Sequence, residues 1–512
     1  MQASNKKKGV GVEEGGESMI SIVVCSRDKR LLDELSENIK NSIGCDFEFI
    51  GIDNSLRRGI TKVYNEGLKK AKFPYICFIH EDVRFLTDSW GKILIEKLKD
   101  KEIGVLGVAG SSFIPENGIW YSVKRPFVKG QVVHEAKGKE QLDRFGVTRE
   151  DEEVVVLDGL FLACRREVAT EIGFDEELEG FHFYDADFSL RVSKKYKNIV
   201  TYDLLLKHYS GGKKDESYEN LRKKFVEKHK LPYSKLKTIP KNSFEWQAFE
   251  FDSKRKYPKI LVGCPTSKDY EYCLEEYLLG LFSLNYPNYD ILIVDNSEDD
   301  EFFDKLKSYG LKVAKGGFHN PVIKRIVESR NALRNYVLEE GYDYFFSLEQ
   351  DVIPPRDVIN MLLSAQQKIV SGLYFGFTNA YEFDGKDGLS TQPVRADSED
   401  VYFSNSLKLM PVAYSLFNDK QKEMPSKKQK LRRLNEFDVN PPRKILVRMT
   451  GLGCILIHKT VLEKTKFRYE EGRKNADDRY FSDDVYDLGM PMILDTRIRC
   501  KHLVLKKKVK WV

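Results

Sequence analysis

The sequence has no run of the roughly 18 to 20 consecutive apolar residues that a membrane-spanning helix needs. Its first eighteen residues, rich in Lys, Gly and Glu, also lack the apolar core of a secretory leader. The expectation is a soluble intracellular protein in which residues 1–18 are disordered, since they carry too few apolar side chains to fold. The eight cysteines (Cys25, Cys45, Cys77, Cys164, Cys264, Cys273, Cys454 and Cys500) include no C-x-x-C pair, and most stand in apolar, strand-like runs. That spacing argues against zinc and disulfides and for buried, reduced thiols. An excess of one charge is missing too: 84 Lys and Arg against 79 Asp and Glu leave a formal net charge of +5. A strongly basic nucleic-acid coat and an acidic disordered chain are both excluded.

Material for a core is plentiful. The 512 residues are 41% apolar and include 31 Phe and 26 Tyr, enough for two or three domains. From Ile20 onward, short β-branched runs alternate with amphipathic segments. Ile22–Cys25 precedes a helix carrying Leu31, Leu32, Leu35 and Ile39, and Phe47–Ile52 precedes one with Ile60, Val63, Tyr64, Leu68 and Ala71 on one stripe. Tyr75–Ile79 then leads to a helix whose Trp90, Ile93, Leu94 and Leu98 face inward. Near-continuous apolar strands separated by helices predict an α/β domain with a mostly parallel sheet covered on both faces. Further strands are predicted at 105–108, 154–163 and 199–206, ahead of a charged helix at 218–230.

The pattern restarts at Lys259–Cys264, followed by a helix through Tyr277, Leu278 and Leu281, the strand Asp290–Val294, a helix with Ala332, Leu333, Tyr336 and Val337, and the strand Tyr342–Leu348. The expected organisation is therefore a first domain over 19–230, a linker over 231–257 punctuated by Pro232 and Pro240, and a second domain over 258–512 with an irregular insertion near 391–443.

In open parallel sheets the ligand crevice lies beyond the carboxyl ends of the strands. Polar residues recur there in the same order in both halves. The first has Ser26-Arg27-Asp28, Asp53, His80-Glu81-Asp82 and Tyr184-Asp185-Ala186-Asp187; the second has Thr266-Ser267, Asp295, Glu349-Gln350-Asp351 and Asp483-Asp484. Each half closes on a histidine after a strand, His208 and His502. An acid-x-acid triplet alone is uninformative, because 79 acids in 512 positions give about twelve by chance. Position supplies the specificity: a triplet ends a buried strand, after an earlier strand-end Asp, twice in one chain. A carboxylate and a histidine in one crevice can hold Mg2+ or Mn2+, which neutralises a diphosphate leaving group. A second, unligated carboxylate can take the proton of an attacking hydroxyl. Asp53 and Asp295 would then be free to hydrogen-bond a nucleoside.

These residues resemble glycosyltransferase family 2 enzymes. The first half is similar to a bacterial glycosyltransferase-like subfamily through Ile22-Val23-Val24-Cys25-Ser26-Arg27-Asp28, Ile52-Asp53-Asn54, Tyr64-Asn65-Glu66-Gly67, Phe78-Ile79-His80-Glu81-Asp82-Val83, Leu157-Asp158-Gly159 and the run Phe181–Arg191. The second half resembles it more loosely, through Asp295-Asn296-Ser297, Ser329-Arg330-Asn331, Glu349-Gln350-Asp351, Thr450-Gly451-Leu452-Gly453 and Ser482-Asp483-Asp484. The resemblance implies two Rossmann-like GT-A domains and transfer of a sugar, with inversion, from a nucleoside diphosphate sugar to a hydroxyl of a glycan or glycolipid acceptor. It implies Ser26, Arg27, Asp53, Thr266, Asp295 and Arg330 at the nucleotide, Asp82, Asp351, His208 and His502 at a divalent metal (Mn2+ or Mg2+), and Asp185 and Asp484 as bases. His80, Glu81, Glu349, Asp187 and Asp483 are neighbouring candidates. His80 stands where the family pattern has the first acid of its triplet, and Tyr184 where it has the acid before the base.

Two alternatives accompany the bifunctional reading. One half, that with His80 and Tyr184, could be a glycan-binding scaffold without catalysis. A metal-dependent nucleotidyltransferase is disfavoured by the lack of a Gly-rich phosphate loop with a following Lys. The basic run Lys427, Lys428, Lys430, Arg432 and Arg433 is expected to be a solvated face. The C-terminal Lys506, Lys507, Lys508 and Lys510, with Trp511, suit either a solvated tail or peripheral contact with the inner, anionic face of a membrane from the cytoplasmic side. No nucleic-acid partner is expected.

Overall fold

The computed structural model describes residues 19–136, 138–209, 216–236, 243–379, 407–416, 431–471 and 477–503. Residues 1–18, Lys427, Lys428, Lys430 and the lysines after 503 lie outside the described residues, as do the side chains of Arg432 and Arg433. The chain divides into two compact units, Met1–Arg255 and Lys256–Val512. All eight cysteines are free and six are buried. No described helix is long and apolar enough to cross a membrane.

The first unit opens with β1 (Ile20–Ser26), α1 (Lys29–Ser42), β2 (Phe47–Asp53), α2 (Ile60–Lys70), β3 (Tyr75–His80), β4 (Val83–Phe85), α3 (Trp90–Leu98) and β5 (Ile103–Gly107). Helix α1 starts where Asp28 accepts hydrogen bonds from the amides of Arg30 and Leu31, and it buries Leu35 and Ile39, one turn apart. Alternation along β1 feeds two cores. Ile20, Ile22 and Val24 join Leu35, Ile39, Trp90 and Leu94 on one face; Val23 joins Ile60, Tyr64, Phe78 and Phe188 on the other. Each such fully buried side chain contributes about 1.5–3 kcal/mol, so the β1 pattern alone anchors both layers.

The main sheet is mixed rather than mostly parallel. Its seven strands run in the order Glu152–Val154, Lys197–Val200, β5, Phe161–Arg165, β3, β1, β2. Phe161–Arg165 is antiparallel to both of its neighbours, β3 and β5. The apolar run predicted as one strand over 154–163 is broken into Glu152–Val154, Val156–Leu157 and Phe161–Arg165, because Asp158-Gly159 turns the chain between two sheets. The hairpin Val128–Ala136 with Lys139–Arg144 was not foreseen, its charged sequence hiding the alternation. The expected linker over 231–257 is also corrected. Tyr233–Ser234 pairs with Phe113–Ile114, and Gln247–Phe251 pairs with Lys139–Arg144, so this stretch completes the first unit.

In the second unit the main sheet runs Val313–Lys315, Tyr289–Asp295, Ile260–Thr266, Tyr344–Leu348, Cys454–His458, Ile369–Leu373, Met492–Arg499, Lys444–Val447. Apart from the extra edge strand Val313–Lys315, strand order and polarity repeat those of the first unit, including the central antiparallel strand. Within the insertion expected near 391–443, the described residues include the short strands Leu407–Pro411, paired with the preceding Phe375–Asn379, and Ala413–Leu416, paired with Leu431–Arg433.

Candidate functional site

Register aligns the two sheets residue by residue. Ser26 pairs with Asp53, and Thr266 with Asp295. Ile20 pairs with Tyr75, and Ile260 with Tyr344, which puts His80, Glu81 and Asp82 in the places of Glu349, Gln350 and Asp351. Across a second, antiparallel pairing, Val83 faces His208 and Val352 faces His502. The sequence order of these residues therefore becomes one place at the carboxyl edge of each sheet.

In the first unit the ring of His208 lies 3.4 Å from Asp82 Oδ1 through Nε2. That nitrogen is buried and makes no hydrogen bond. Burial opposes its protonation, but Asp82 and then Asp158 outweigh burial and raise it. His80 completes a group of three whose ligand atoms all lie within 4.8 Å of one another, the only such group among the described residues. Burial, then the neighbouring His208, depresses the His80 imidazole. The Tyr184 hydroxyl is 2.6 Å from His80 Nε2 and donates to the Gly159 carbonyl at 3.2 Å. Gly159 is required there, since a Cβ would stand 2.2 Å from the Tyr184 hydroxyl.

Helix α5 (Tyr184–Ser193), which follows α4 (Arg166–Ile172), begins after Phe183, a non-glycine residue at φ +62°. Such a backbone is costly and is held here by the packing of Phe183 on Tyr218 and Phe225. The turn delivers Asp185, whose Oδ2 accepts from the Gly159 amide at 2.8 Å. Burial, reinforced by the charge of Asp158, pushes Asp185 up to about 7. Asp187 is different. It is buried among Arg191, Lys228 and His229, and although burial works against its charge, these partners hold it well below the ordinary carboxylate range. Of the two acids weighed for the base, Asp185 has the matching chemistry and Asp187 ties α5 to the helix Glu216–Lys228 and to His229. Asp158, absent from the expected site residues, is the missed neighbour; its signal was the Leu157-Asp158-Gly159 motif.

Glu81 is a positioning group. Its Oε2 accepts from Ser26 Oγ at 2.6 Å and from the amides of Arg27 and Asp28 at 2.9 and 3.0 Å, fixing the turn after β1. The Arg27 guanidinium sits over the Phe181 ring at 4.9 Å. Asp53 is exposed and bonds only locally, to Ser55.

The second unit keeps the edge and changes the chemistry. His502 Nε2 is 3.3 Å from Asp351 Oδ2, and His502 Nδ1 donates to the Phe375 carbonyl at 2.8 Å. Burial opposes protonation of His502, yet Asp351 raises it on balance. Thr266 donates to Gln350, the counterpart of the Ser26–Glu81 bond. Glu349, however, is gripped by Arg330, which is 3% exposed and also donates to Asp477 at 2.6 Å and Ser347 at 2.9 Å. Arg330 is thus committed to protein partners, and Glu349 forms no metal-ligand group with Asp351 and His502. Asp295 is fully buried and held by Ser297 and, at 3.1 Å, by Lys315.

The acids expected to supply the base of this unit are engaged in ion pairs. Asp484 makes a two-pronged pair with Arg468, at 2.9 and 3.1 Å, and Asp483 is held by Arg448 and Arg479. Both lie nearly two turns into the helix Asp477–Asp487, whereas Tyr184 and Asp185 open α5. The residues opening the second helix are Asp477 and Asp478. Ser189 and Ser482, each five residues after the first position, are both fully buried. Asp478 Oδ1 is buried without a hydrogen-bond partner, and burial, then Asp477, pushes Asp478 up to about 6. Two Asp-Asp pairs six residues apart make the register ambiguous in sequence.

A further equivalence locates Arg330. Asn65 exchanges two hydrogen bonds with the backbone of Phe174, and Asn331 exchanges the same two with Phe467. Tyr64 therefore stands in the place of Arg330. The trio Tyr64, His80 and Tyr184 in one unit corresponds to Arg330, Glu349 and Asp477 in the other.

The chain is 29% identical over 235 residues to "ATP synthase subunits region ORF 6" of Fuscovulum blasticum, covering 43% of this chain and 87% of that protein. A solved structure, "Crystal Structure of A197 from STIV", aligns at 14% identity over 48% of this chain and 86% of that one, with a TM-score of 0.25. Residues 21–229 match the family described as "Glycosyltransferase like family". The first unit thus carries an α/β domain of glycosyltransferase-like type, with a His/Asp cluster at its edge that suits a divalent metal.

Proposed function

We propose that the first unit transfers a sugar from a nucleoside diphosphate donor to a hydroxyl of a glycan or glycolipid acceptor, with inversion at the anomeric carbon. The observation that carries this reading is the convergence of a near-neutral carboxylate, Asp185, with the trio His80, Asp82 and His208 at one sheet edge. Asp185 takes the acceptor proton as the acceptor oxygen bonds to the anomeric carbon, while the bond to the diphosphate breaks and its electron pair leaves with the phosphate oxygen. A divalent ion held by the trio would neutralise that leaving group. Exposed Asp53 and exposed Arg27, in the turn that Glu81 braces through Ser26, are available to the nucleoside. The family match supports sugar-transfer chemistry for this half of the chain.

For the second unit, the repeated strand order supports a second GT-A-like domain, and Asp478 replaces Asp484 as its base. A specific observation favours the reading that it binds glycan without catalysis: Arg330 consumes Glu349, and Lys315 covers Asp295. Degeneracy then falls on the opposite half from the one marked by His80 and Tyr184. The test is turnover of a panel of nucleotide sugars by the intact chain, by Asp185→Asn and by Asp478→Asn. Loss of all transfer in Asp185→Asn alone assigns catalysis to the first unit; transfer unaffected by that substitution overturns the proposal.

A further inference from the structure

We propose that the first unit's site selects a borderline transition ion of the Zn2+, Co2+ and Fe2+ class over Mg2+. The inference deepens the preceding reading by naming the class of ion, and it stands on three observations. The donor set is two imidazoles and one carboxylate, His80, His208 and Asp82, with all ligand atoms inside 4.8 Å. Imidazole suits zinc, iron and their neighbours, whereas Mg2+ demands oxygen ligands and sheds water reluctantly. The second observation is the buried Nε2 of His208, which makes no hydrogen bond and faces a carboxylate oxygen only at 3.4 Å. A buried polar atom without a partner calls for one, and an ion between the two supplies it. Third, the His80 ring is held from outside the trio by the Tyr184 hydroxyl at 2.6 Å, the outer support that metal-binding histidines ordinarily have.

The second unit is an internal control. At the position of His80 it has Glu349, already neutralised by Arg330, and Asp351 with His502 alone offers only two ligands. The chain is therefore expected to bind one such ion, in the first unit.

The test uses the full-length chain, stripped of metal with a chelator and without nucleotide or acceptor. Binding of Zn2+, Co2+, Mn2+ and Mg2+ is followed by calorimetry, and Co2+ also by its visible absorption. Expected is one Zn2+ or Co2+ per chain, bound at least about 100-fold more tightly than Mg2+. His208→Ala should lower Zn2+ affinity by at least tenfold, and His80→Asp should narrow the Zn2+/Mg2+ preference by at least tenfold. Asp351→Asn should change neither affinity nor stoichiometry. Circular dichroism of each variant separates lost ligation from lost folding, and His80→Asn supplies a second, near-isosteric variant. Equal affinity for Mg2+ and Zn2+, or Zn2+ binding untouched by His208→Ala in a folded protein, overturns the inference. A chain that binds Zn2+ through these residues but transfers no sugar sinks the transferase reading and leaves this one standing; transfer supported by Mg2+ with no such preference does the reverse.

Discussion

The two units place chemically opposite trios on the same scaffold. Where the first has Tyr64, His80 and Tyr184, all uncharged when His80 is neutral, the second has Arg330, Glu349 and Asp477, a guanidinium between two carboxylates. The strand-end acid and the histidine across from it persist in both. A sheet edge thus fixes where polar groups gather, while the residues behind it decide whether they are available. In the first unit the triplet faces open chemistry; in the second its leading acid is spent on an ion pair.

The largest expected effect tests which unit carries the chemistry. Asp185→Asn should lower kcat/KM for sugar transfer by about 10²–10⁴-fold, the usual contribution of a positioned base. Asp484→Asn, bound to Arg468, should alter it less than threefold. A strong loss in Asp484→Asn, measured beside Asp478→Asn, would break the register argued for the second helix.

Next comes stability. Arg330→Met leaves the buried Asp477 and the half-buried Glu349 without their counter-ion and should destabilise the second unit by about 3–5 kcal/mol. Tyr64→Phe at the matching position should cost under about 1 kcal/mol, because no charge is stranded. Urea denaturation of both variants measures the contrast, and equal losses would erase it.

The pH profile gives a smaller but sharper distinction. Only the ionised carboxylate accepts a proton, so transfer by the first unit should rise through about pH 7, where Asp185 titrates. If the second unit turns over, the activity surviving in Asp185→Asn should rise through about pH 6, following Asp478. Stability moves the other way. Both acids sit above the ordinary carboxylate value in the folded chain, so their stabilising contribution is complete below about pH 4 and is lost as pH rises through about 6 to 7.

The smallest effect concerns the strand-end acids. Asp53→Ala should weaken binding of nucleoside diphosphates to the first unit several-fold by thermal shift, as Asp53 is exposed and only locally bonded. Lys315→Met should strengthen binding to the second by a similar factor, by releasing Asp295.

Much of this was legible in the residues. Apolar runs such as Ile20–Ser26 and Tyr75–His80 announce buried strands, and acids at their ends announce the edge. The central antiparallel strand was not legible, because Phe161–Arg165 is buried on both faces just as a parallel strand would be. Nor was the commitment of Arg330 and Asp295, which depends on partners 147 and 20 residues away. Histidine at position 80 departs from the pattern that the sequence resembles; with His208 beside it, the same residue becomes part of a ligand set.

The correspondence of Tyr64 with Arg330 has a consequence for engineering. No single substitution converts one half into the other. His80→Glu alone would set an acid beside the Tyr184 hydroxyl with no guanidinium to pair it, and Arg330→Tyr alone would abandon two acids, so each intermediate is penalised before the next change can rescue it. The two halves occupy separate basins of sequence, and grafting one function onto the other requires moving three residues at once.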